Sequence, residues 1–231
     1  MKYRQELKYI CSSGQIAVMK NSLKAIMKPD ENMSGKEYYN IRSIYFDDIY
    51  DSCLSENENG HNNRMKIRIR IYNKSRSVIK LELKYKADGY THKRSVNITR
   101  ELCEKLIAGQ RLEYTDTNGN PVLNIMYLYT HNTVLKPKVI VEYDRTVFIN
   151  RTGNVRVTFD QNIRCSKHIE RFFEENIYSI PVMEQNRHVL EVKYDEILPG
   201  HIADVINGGY LSQTAFSKYY LSRLALKGEL L

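Results

Sequence analysis

The chain has 231 residues, of which 42% are hydrophobic and 27% charged, and its formal net charge is +8. This length and composition exclude a disordered tail and predict one large globular domain or at most two small ones. The positive charge favours an anionic partner such as nucleic acid, a phosphate compound or an acidic membrane surface, although solubility alone would account for it as well.

The cysteines and the hydropathy pattern limit the compartment and the site classes. The four cysteines, Cys11, Cys53, Cys103 and Cys165, are far apart and form no CxxC pair, so the sequence predicts free thiols and neither a zinc site nor a disulfide framework. No apolar run approaches the roughly 18–20 residues of a membrane helix, and the N-terminal segment lacks the apolar stretch of a signal peptide. We therefore expect a cytoplasmic protein, with any membrane role supplied by a partner protein.

The strand signals dominate the chain. Alternating or short apolar runs predict strands at residues 3–10, 41–47, 64–72, 78–86, 92–98, 138–149, 154–160 and 188–194. Asp88-Gly89 is typical of a hairpin turn, and residues 150–153 are a second expected turn.

Helical spacing is confined to five shorter segments. The predicted helices are 13–27 after Ser12 or Ser13 as N-cap, one from Thr99 to Gly109, 122–130 after Pro121, about 201–207 and about 217–227. With no linker, repeat or low-complexity tract, these elements predict a single domain over residues 1–231. Its fold class is α+β, mainly β: an antiparallel barrel with peripheral helices.

The strand at 64–72 shows an unusual charge pattern. Lys66, Arg68 and Arg70 lie on one face, and apolar residues such as Ile67 and Ile69 lie on the other, because side chains alternate along a strand. Five strands carry charges in phase in this way: Arg4/Glu6/Lys8, Lys66/Arg68/Arg70, Lys80/Glu82/Lys84/Lys86, Arg156/Thr158/Asp160 and Glu191/Lys193. For any single strand, the solvated face of a half-buried sheet explains the pattern.

Taken together, the charged faces favour a phosphate ligand. They are poor in uncharged polar residues and mix many cations with three central carboxylates, Glu6, Glu82 and Glu191. If the sheet closed with this face inward, it would form a cationic tunnel strained by repulsion and desolvation. A chain of phosphates would relieve both effects, and the carboxylates would hold a divalent metal that bridges phosphate oxygens.

Nucleic acid is the rival polyanion. Single-strand-binding sheets stack bases on aromatic side chains among their basic residues, but Tyr72 and Tyr85 fall on the apolar faces of their strands. We therefore expect no nucleic-acid partner. The sequence also contains no P-loop, GxGxxG or HExxH motif, and its histidines are scattered.

Eight motifs occur in an order that resembles a known family. They are RxExK at residues 4–8, SIYFD (43–47), KIRIRIY (66–72), LELK (81–84), EYDR (142–145), VRVTFD (155–160), VLEVKY (189–194) and FSKY (216–219). Together they resemble the VTC domain, the polyphosphate polymerase module of the vacuolar transporter chaperone complex and its bacterial relatives. That family belongs to the triphosphate tunnel metalloenzymes, alongside the CYTH enzymes, and the resemblance covers about residues 2–225.

The resemblance implies an eight-stranded antiparallel closed tunnel that uses Mn²⁺ or Mg²⁺ to transfer the γ-phosphate of ATP to a growing polyphosphate chain. By motif position it implies phosphate contacts from Lys8, Arg68, Arg70, Lys84, Arg145 and Arg156, with Lys93 or Arg94 as an addition. Glu191 would be the metal ligand, and Tyr143, Ser217 and Lys218 would complete the site. The in-phase Arg4, Lys66 and Lys193 are further candidate substrate contacts, and Glu6 and Glu82 are further candidate metal ligands.

Some features depart from the wider superfamily. The hydrolase and cyclase branches usually begin with ExExK, whereas Arg4 here replaces a carboxylate with a cation, which favours a longer anion over simple hydrolysis. Arg145 and Glu142 differ in strand parity, so we expect Arg145 and Tyr143, and not Glu142, in the site. Ser217 could be only a helix cap.

The sequence also bears on accompanying domains and leaves two other functions open. No SPX or membrane domain accompanies the motifs, so regulation and export are expected from other chains. A triphosphatase on the same scaffold is one alternative function. A non-catalytic module that binds polyphosphate, inositol phosphates or RNA is another.

Overall fold

The structure is a computed structural model and describes residues 4–61, 63–87 and 90–229. In these ranges it is an α+β fold with a mainly antiparallel sheet and six α-helices. The strands are β1 (Arg4–Ser12), β2 (Lys28–Pro29), β3 (Tyr39–Asp47), β4 (Arg64–Tyr72), β5 (Ile79–Ala87), β6 (Tyr90–Ile98), β7 (Lys136–Asn150), β8 (Val155–Ser166), β9 (Ile180–Pro181) and β10 (Arg187–Asp195). The helices are α1 (Ser13–Ile26), α2 (Ser52–Glu58), α3 (Arg100–Ile107), α4 (Pro121–Asn132), α5 (Gly200–Asn207) and α6 (Lys218–Lys227).

All the strands and helices predicted from the sequence are present, while α2, β2 and β9 were not predicted. The backbone amides of Cys53 and Leu54 at the start of α2 donate to the carboxylate of Asp47, at 3.0 and 3.1 Å. The N-cap residue Asp51 makes no side-chain cap hydrogen bond, and Asp47, five residues before the helix, takes over this role. The predicted Asp88-Gly89 turn lies outside the described residues.

The described residues divide into two compact units. The first unit comprises residues 4–40, 143–163 and 183–217, and the second unit comprises residues 41–142, 164–182 and 218–229. The single domain predicted over residues 1–231 stays a prediction.

In the first unit, one face of the sheet forms an apolar core. The strand order is β1-β10-β8-β7, and all these pairs are antiparallel. The side chains Val157, Phe159, Leu190 and Val192 are fully buried with residues of α1 and α5. Because side chains alternate along a strand, the charged residues of β1, β8 and β10 lie on the opposite face.

In the second unit, the strand order is β7-β3-β4-β5-β6. Apolar residues of β4 and β5, including Ile67, Ile69, Leu81 and Leu83, form a core with α3 and α4. As in the first unit, the charged residues of these strands occupy the other face.

The sheet is not closed by hydrogen bonds. Its strand order begins at β1 and ends at β6, and these two strands do not pair in the described part of the chain. The antiparallel architecture is therefore confirmed, whereas the closed tunnel is not and stays a prediction. Within the same residues, no helix is both long and apolar enough to cross a membrane. All four cysteines are buried and free.

Candidate functional site

The charged face of the first unit is built from two adjacent cross-strand rows. The rows are Glu6–Lys193–Arg156 and Lys8–Glu191–Thr158, running across β1, β10 and β8. We call Glu6, Lys8, Arg156, Glu191 and Lys193 the mixed cluster. Each of its carboxylates faces a cation on the neighbouring strand, which is a stabilising cross-strand arrangement.

Lys193 connects the two carboxylates of the mixed cluster. Its Nζ lies 2.7 Å from Glu191 Oε1 and 3.8 Å from Glu6 Oε2. Lys8 Nζ lies 3.1 Å from Glu6 Oε1 and donates a hydrogen bond to the carbonyl oxygen of Phe216 at 3.1 Å. The structure thus brings together four of the predicted site residues of the first unit.

Arg145 is tied to a carboxylate that was not among the predicted site residues. Its Nε and Nη2 donate to the fully buried Asp160 at 2.6 and 2.7 Å, and Nη2 lies 3.8 Å from Glu191 Oε2. The guanidinium lies 5.2 Å from the centre of the Tyr143 ring, so the two residues share one side of β7, as predicted. Although burial opposes the charge, the Asp160 carboxylate raises the pKa of Arg145 well above its usual value. Asp160 therefore orients Arg145 and keeps it charged.

Arg156 also has a partner that the strand pattern missed. Its Nη2 lies 2.7 Å from Oδ2 of Asp30, which is 5% exposed and caps a short 3₁₀ turn by accepting from the amide of Asn32. Asp30 lies in a loop, so no periodicity could have linked it to Arg156. Only its position after Pro29, in a turn-forming dipeptide, is a sequence signal.

Glu142 belongs to a buried ion-pair network of the second unit. Its buried carboxylate pairs with Arg42 at 2.5 Å and with Arg164 in the second unit. This arrangement gives Glu142 a structural role, because it compensates the charge of the fully buried Arg42.

In the second unit, the charged face carries a strong excess of positive charge. Its cross-strand rows on β4, β5 and β6 are Lys66–Lys84–Lys93, Arg68–Glu82–Ser95 and Arg70–Lys80–Asn97. We call the seven charged residues of these rows the cationic cluster. Three lysines in direct register stand about 5 Å from one another between strands, an arrangement that destabilises a sheet unless an anion compensates it.

Glu82 is the single carboxylate of these rows and is 1% exposed. Its Oε2 accepts from Arg68 Nε at 2.6 Å and lies 4.0 Å from Arg70 Nη1, while Oε1 lies 2.5 Å from Lys93 Nζ. Burial alone would raise the pKa of Glu82, but Arg68, Arg70 and Lys93 hold it well below its usual value. Glu82 is therefore an ionised counter-ion that orients the surrounding cations.

Lys66 lies in a desolvated part of the cationic cluster. Its Nζ donates to Asn57 Oδ1 at 2.8 Å. Burial lowers the pKa of Lys66 to about 8, and the charges of Arg64 and Lys84 act in the same direction. An anion bound here would restore the full charge of Lys66.

The position of Lys218 is set by a buried polar network. Lys218 is the first residue of α6. The next residue, Tyr219, donates from Oη to Asp47 Oδ2 at 2.6 Å, and Arg223, about one turn later, forms two hydrogen bonds to Asp51, at 2.7 and 2.9 Å. Asp47 therefore anchors both α2 and α6. Sequence reasoning assigned it no role, although it is the polar residue that ends the apolar run of β3.

The remaining predicted residues have less defined positions. Arg94 is exposed and pairs in register with Leu83, so it lies on the face opposite Lys93. Of the two alternatives, Lys93 is thus the one that joins the cationic cluster. Arg4 faces Asp195 across β1 and β10, but its side chain lies outside what the structure describes. Ser217 immediately precedes α6, and its role as a cap or a ligand stays a prediction.

A divalent cation such as Mg²⁺ requires oxygen ligands, for which Glu6, Glu82 and Glu191 are the candidates. Among the described residues, no three His, Cys, Asp or Glu side chains are grouped as metal ligands. Mg²⁺-like ions are often held by one or two carboxylates plus substrate phosphates. Glu6 and Glu191, which share the ammonium group of Lys193, fit that chemistry. Glu82 fits it less well, because its side chain is 1% exposed, whereas those of Glu6 and Glu191 are 27% and 9% exposed. A metal-ligand role of Glu82 stays a prediction.

Comparisons with known proteins bear on the family and the fold of the chain. The family model for the VTC domain matches residues 3–227, while no curated protein matches the sequence. A candidate adenylate cyclase from Bacillus halodurans has a similar crystal structure, with a TM-score of 0.54, 10% identity and coverage of 94% of each chain. For the PH1819 protein from Pyrococcus horikoshii OT3, the TM-score is 0.42 and the identity 13%, covering 90% of this chain and 85% of that one. The structural likeness concerns the fold alone, but the family match spans nearly the whole chain and confirms the family expected from the motifs. The chain belongs to the VTC domain family.

Proposed function

We propose that the protein is a metal-dependent polyphosphate polymerase, which transfers the γ-phosphoryl group of ATP to the end of a growing polyphosphate chain. The observation that carries this proposal is the row of Lys66, Lys84 and Lys93 in direct register on three strands. Like charges in direct register repel one another, and Glu82, the carboxylate that contacts Lys93 in this row, is shared with Arg68 and Arg70. A phosphate chain, with a negative charge on each unit, compensates such a row better than a single small anion does.

The cationic cluster would supply the binding and orientation of phosphoryl groups. Phosphoryl transfer depends mainly on positioning and on charge neutralisation, with little covalent work for the protein. Arg68 and Arg70 can each present two parallel N–H groups to phosphate oxygens. Glu82 holds Arg68 at 2.6 Å, so this guanidinium is oriented before the substrate binds.

The mixed cluster would supply the metal ligands. We propose that Glu191 and Glu6 hold Mn²⁺ or Mg²⁺ together with phosphate oxygens, and that the ion neutralises charge on the transferred group. The ammonium group of Lys193 contacts both carboxylates, so a metal ion competes with it for their oxygens. Lys193 and Lys8 then become available to phosphate oxygens.

The proposal also covers partners and compartment. ATP and polyphosphate are the substrates, no nucleic acid is required, and any membrane role belongs to another chain. We assign the activity to the cytoplasm because the four cysteines are free thiols, which is typical of a reducing compartment.

A product analysis tests the proposal. The purified protein is incubated with ATP, Mn²⁺ and a short polyphosphate primer, and the products are separated on a gel stained for polyphosphate. We expect a ladder that disappears in Glu191→Gln and persists in Glu184→Gln, a matched change at a glutamate whose side chain is 78% exposed. Folded protein that makes no polymer would overturn the proposal. ADP with free phosphate alone would indicate a triphosphatase, and binding without turnover would indicate a binding module.

A further inference from the structure

Tyr45, in the SIYFD motif, has no role in the function described so far. It lies on β3 directly opposite Arg68, which in turn lies opposite Glu82 on β5. The Tyr45 side chain is buried, and its ring stacks on that of Tyr219 with 5.4 Å between ring centres. Tyr45 therefore belongs to the same cross-strand row as the central ion pair of the cationic cluster.

The hydrogen bonding of the phenol is incomplete. Arg68 Nη1 donates to Tyr45 Oη at 2.9 Å, so the oxygen acts as an acceptor and its own O–H remains to be donated. In the part of the chain that the structure describes, no acceptor contacts this O–H. The charges that act most strongly on Tyr45 are Arg68, Arg70 and Lys218, and these side chains carry only donors. A phosphate oxygen bound here would supply an acceptor for this O–H.

We propose that Tyr45 is a phosphate ligand, whose hydroxyl group donates a hydrogen bond to a non-bridging oxygen of the phosphate chain beside Arg68 and Arg70. This inference rests on the proposed function, because it requires the cationic cluster to bind a phosphate chain. A phosphoryl oxygen is an anionic acceptor and also satisfies the guanidinium groups around it. Tyr45 thus adds a neutral donor to a set of cations.

The protonation state of Tyr45 makes this role measurable. Burial alone would raise its pKa, but Arg68, Arg70 and Lys218 lower it to about 8. The stacked Tyr219 behaves in the opposite way, since burial and the Asp47 carboxylate raise its pKa. Near pH 8 without a ligand, Tyr45 is therefore partly a phenolate that compensates the nearby cations.

Phosphate binding and loss of the Tyr45 proton oppose each other. A phenolate cannot donate to a phosphoryl oxygen, and it adds a negative charge beside it. Bound phosphate therefore raises the pKa of Tyr45, and phosphate affinity falls as the phenol ionises. The other ionisable or charged groups around this site are Lys66 on β4, Glu82 and Lys84 on β5, Asp47 on β3, Cys53 on α2, and Tyr219 and Arg223 on α6. Of these, Lys66 has a pKa of about 8 and requires its own control.

The test uses the full chain labelled with ¹³C at the Cζ atoms of tyrosine, with tripolyphosphate as the probe and no metal. The NMR resonance that is lost in Tyr45→Phe belongs to Tyr45. We expect it to titrate near pH 8 in the free protein and at least one pH unit higher with saturating tripolyphosphate. Above pH 8, the affinity of the natural chain falls more than that of Tyr45→Phe, in total by about tenfold for each unit by which tripolyphosphate raises the pKa of Tyr45, as expected for one linked proton.

Controls separate Tyr45 from other effects. In a Lys66→Gln background, Tyr45→Phe should still weaken the fall of tripolyphosphate affinity with pH. Tyr178→Phe, at an exposed tyrosine of the second unit, should behave like the natural chain. The inference is overturned if the Tyr45 resonance does not titrate below pH 10, if tripolyphosphate leaves its pKa unchanged, or if tripolyphosphate does not bind. A pKa that shifts as expected in a protein that makes no polymer from ATP would support the role of Tyr45 and reject the polymerase activity.

Discussion

The role of Glu82 gives the sharpest stability prediction. Replacing Glu82 with Gln keeps its shape but removes the charge that compensates Arg68 at 2.6 Å and Lys93 at 2.5 Å, in a side chain that is 1% exposed. Removing one partner of a fully buried ion pair typically costs about 3–5 kcal/mol, but Arg68 and Lys93 are 21% and 48% exposed, so water screens part of their charge. We therefore expect a loss of about 2–3 kcal/mol, which for a protein of this length corresponds to roughly 4–12 °C in melting temperature.

Denaturant unfolding at pH 7 without phosphate measures this loss. Glu6→Gln is the matched control, because the Glu6 side chain is 27% exposed and its ion pairs are longer, at 3.1 and 3.8 Å; we expect a loss of less than about 1 kcal/mol there. If Glu82→Gln cost no more than Glu6→Gln, Glu82 would not be the counter-ion of the cationic cluster. A metal-ligand role would then be the better explanation for it.

Three other outcomes follow from the same contacts. Neighbouring cations lower the pKa of Glu82, so its carboxylate contributes its full stabilisation above the usual pKa of about 4.5. This contribution is lost as the pH falls below that value. Unfolding measured at decreasing pH should therefore show a loss of stability that is absent from Glu82→Gln. Asp47→Asn should cost about 2–3 kcal/mol in denaturant unfolding, because an NH₂ group replaces one of the two oxygens that accept from the Tyr219 hydroxyl and from the amides of Cys53 and Leu54. An unchanged midpoint would contradict the anchoring of α2 and α6 by Asp47. Arg70→Ala should weaken tripolyphosphate binding in calorimetry by about 1.5–3 kcal/mol without unfolding the protein, whereas a large loss of stability would indicate a structural ion pair.

Local periodicity predicted most of the secondary structure, but it identified only some of the contacts in the candidate site. Strand β4 was predicted at residues 64–72 and occurs there, because the alternation of Ile67 and Ile69 with Arg68 and Arg70 depends only on neighbouring positions. The same alternation placed the cations of each strand on one face. Family motifs then indicated which of these positions handle phosphate.

Partnerships between distant residues could not be predicted. Arg145 is paired with Asp160 and Arg156 with Asp30, and no sequence spacing links these residues. The metal-ligand role predicted for Glu82 stays a prediction, since strand parity cannot tell a counter-ion from a ligand. Helix α2 was missed because its cap, Asp47, belongs to the preceding strand.

The proposed polymerase activity is tested most directly by following the γ-phosphoryl group itself. The protein is incubated with Mn²⁺, a short polyphosphate primer and ATP labelled either at the γ- or at the α-phosphate, and the label is located after separation of the products. We expect the γ label in chains longer than the primer, the α label only in ADP and unreacted ATP, and one ADP released for each phosphate added. If the γ label appeared only in free phosphate while the protein stayed folded, the polymerase assignment would be wrong.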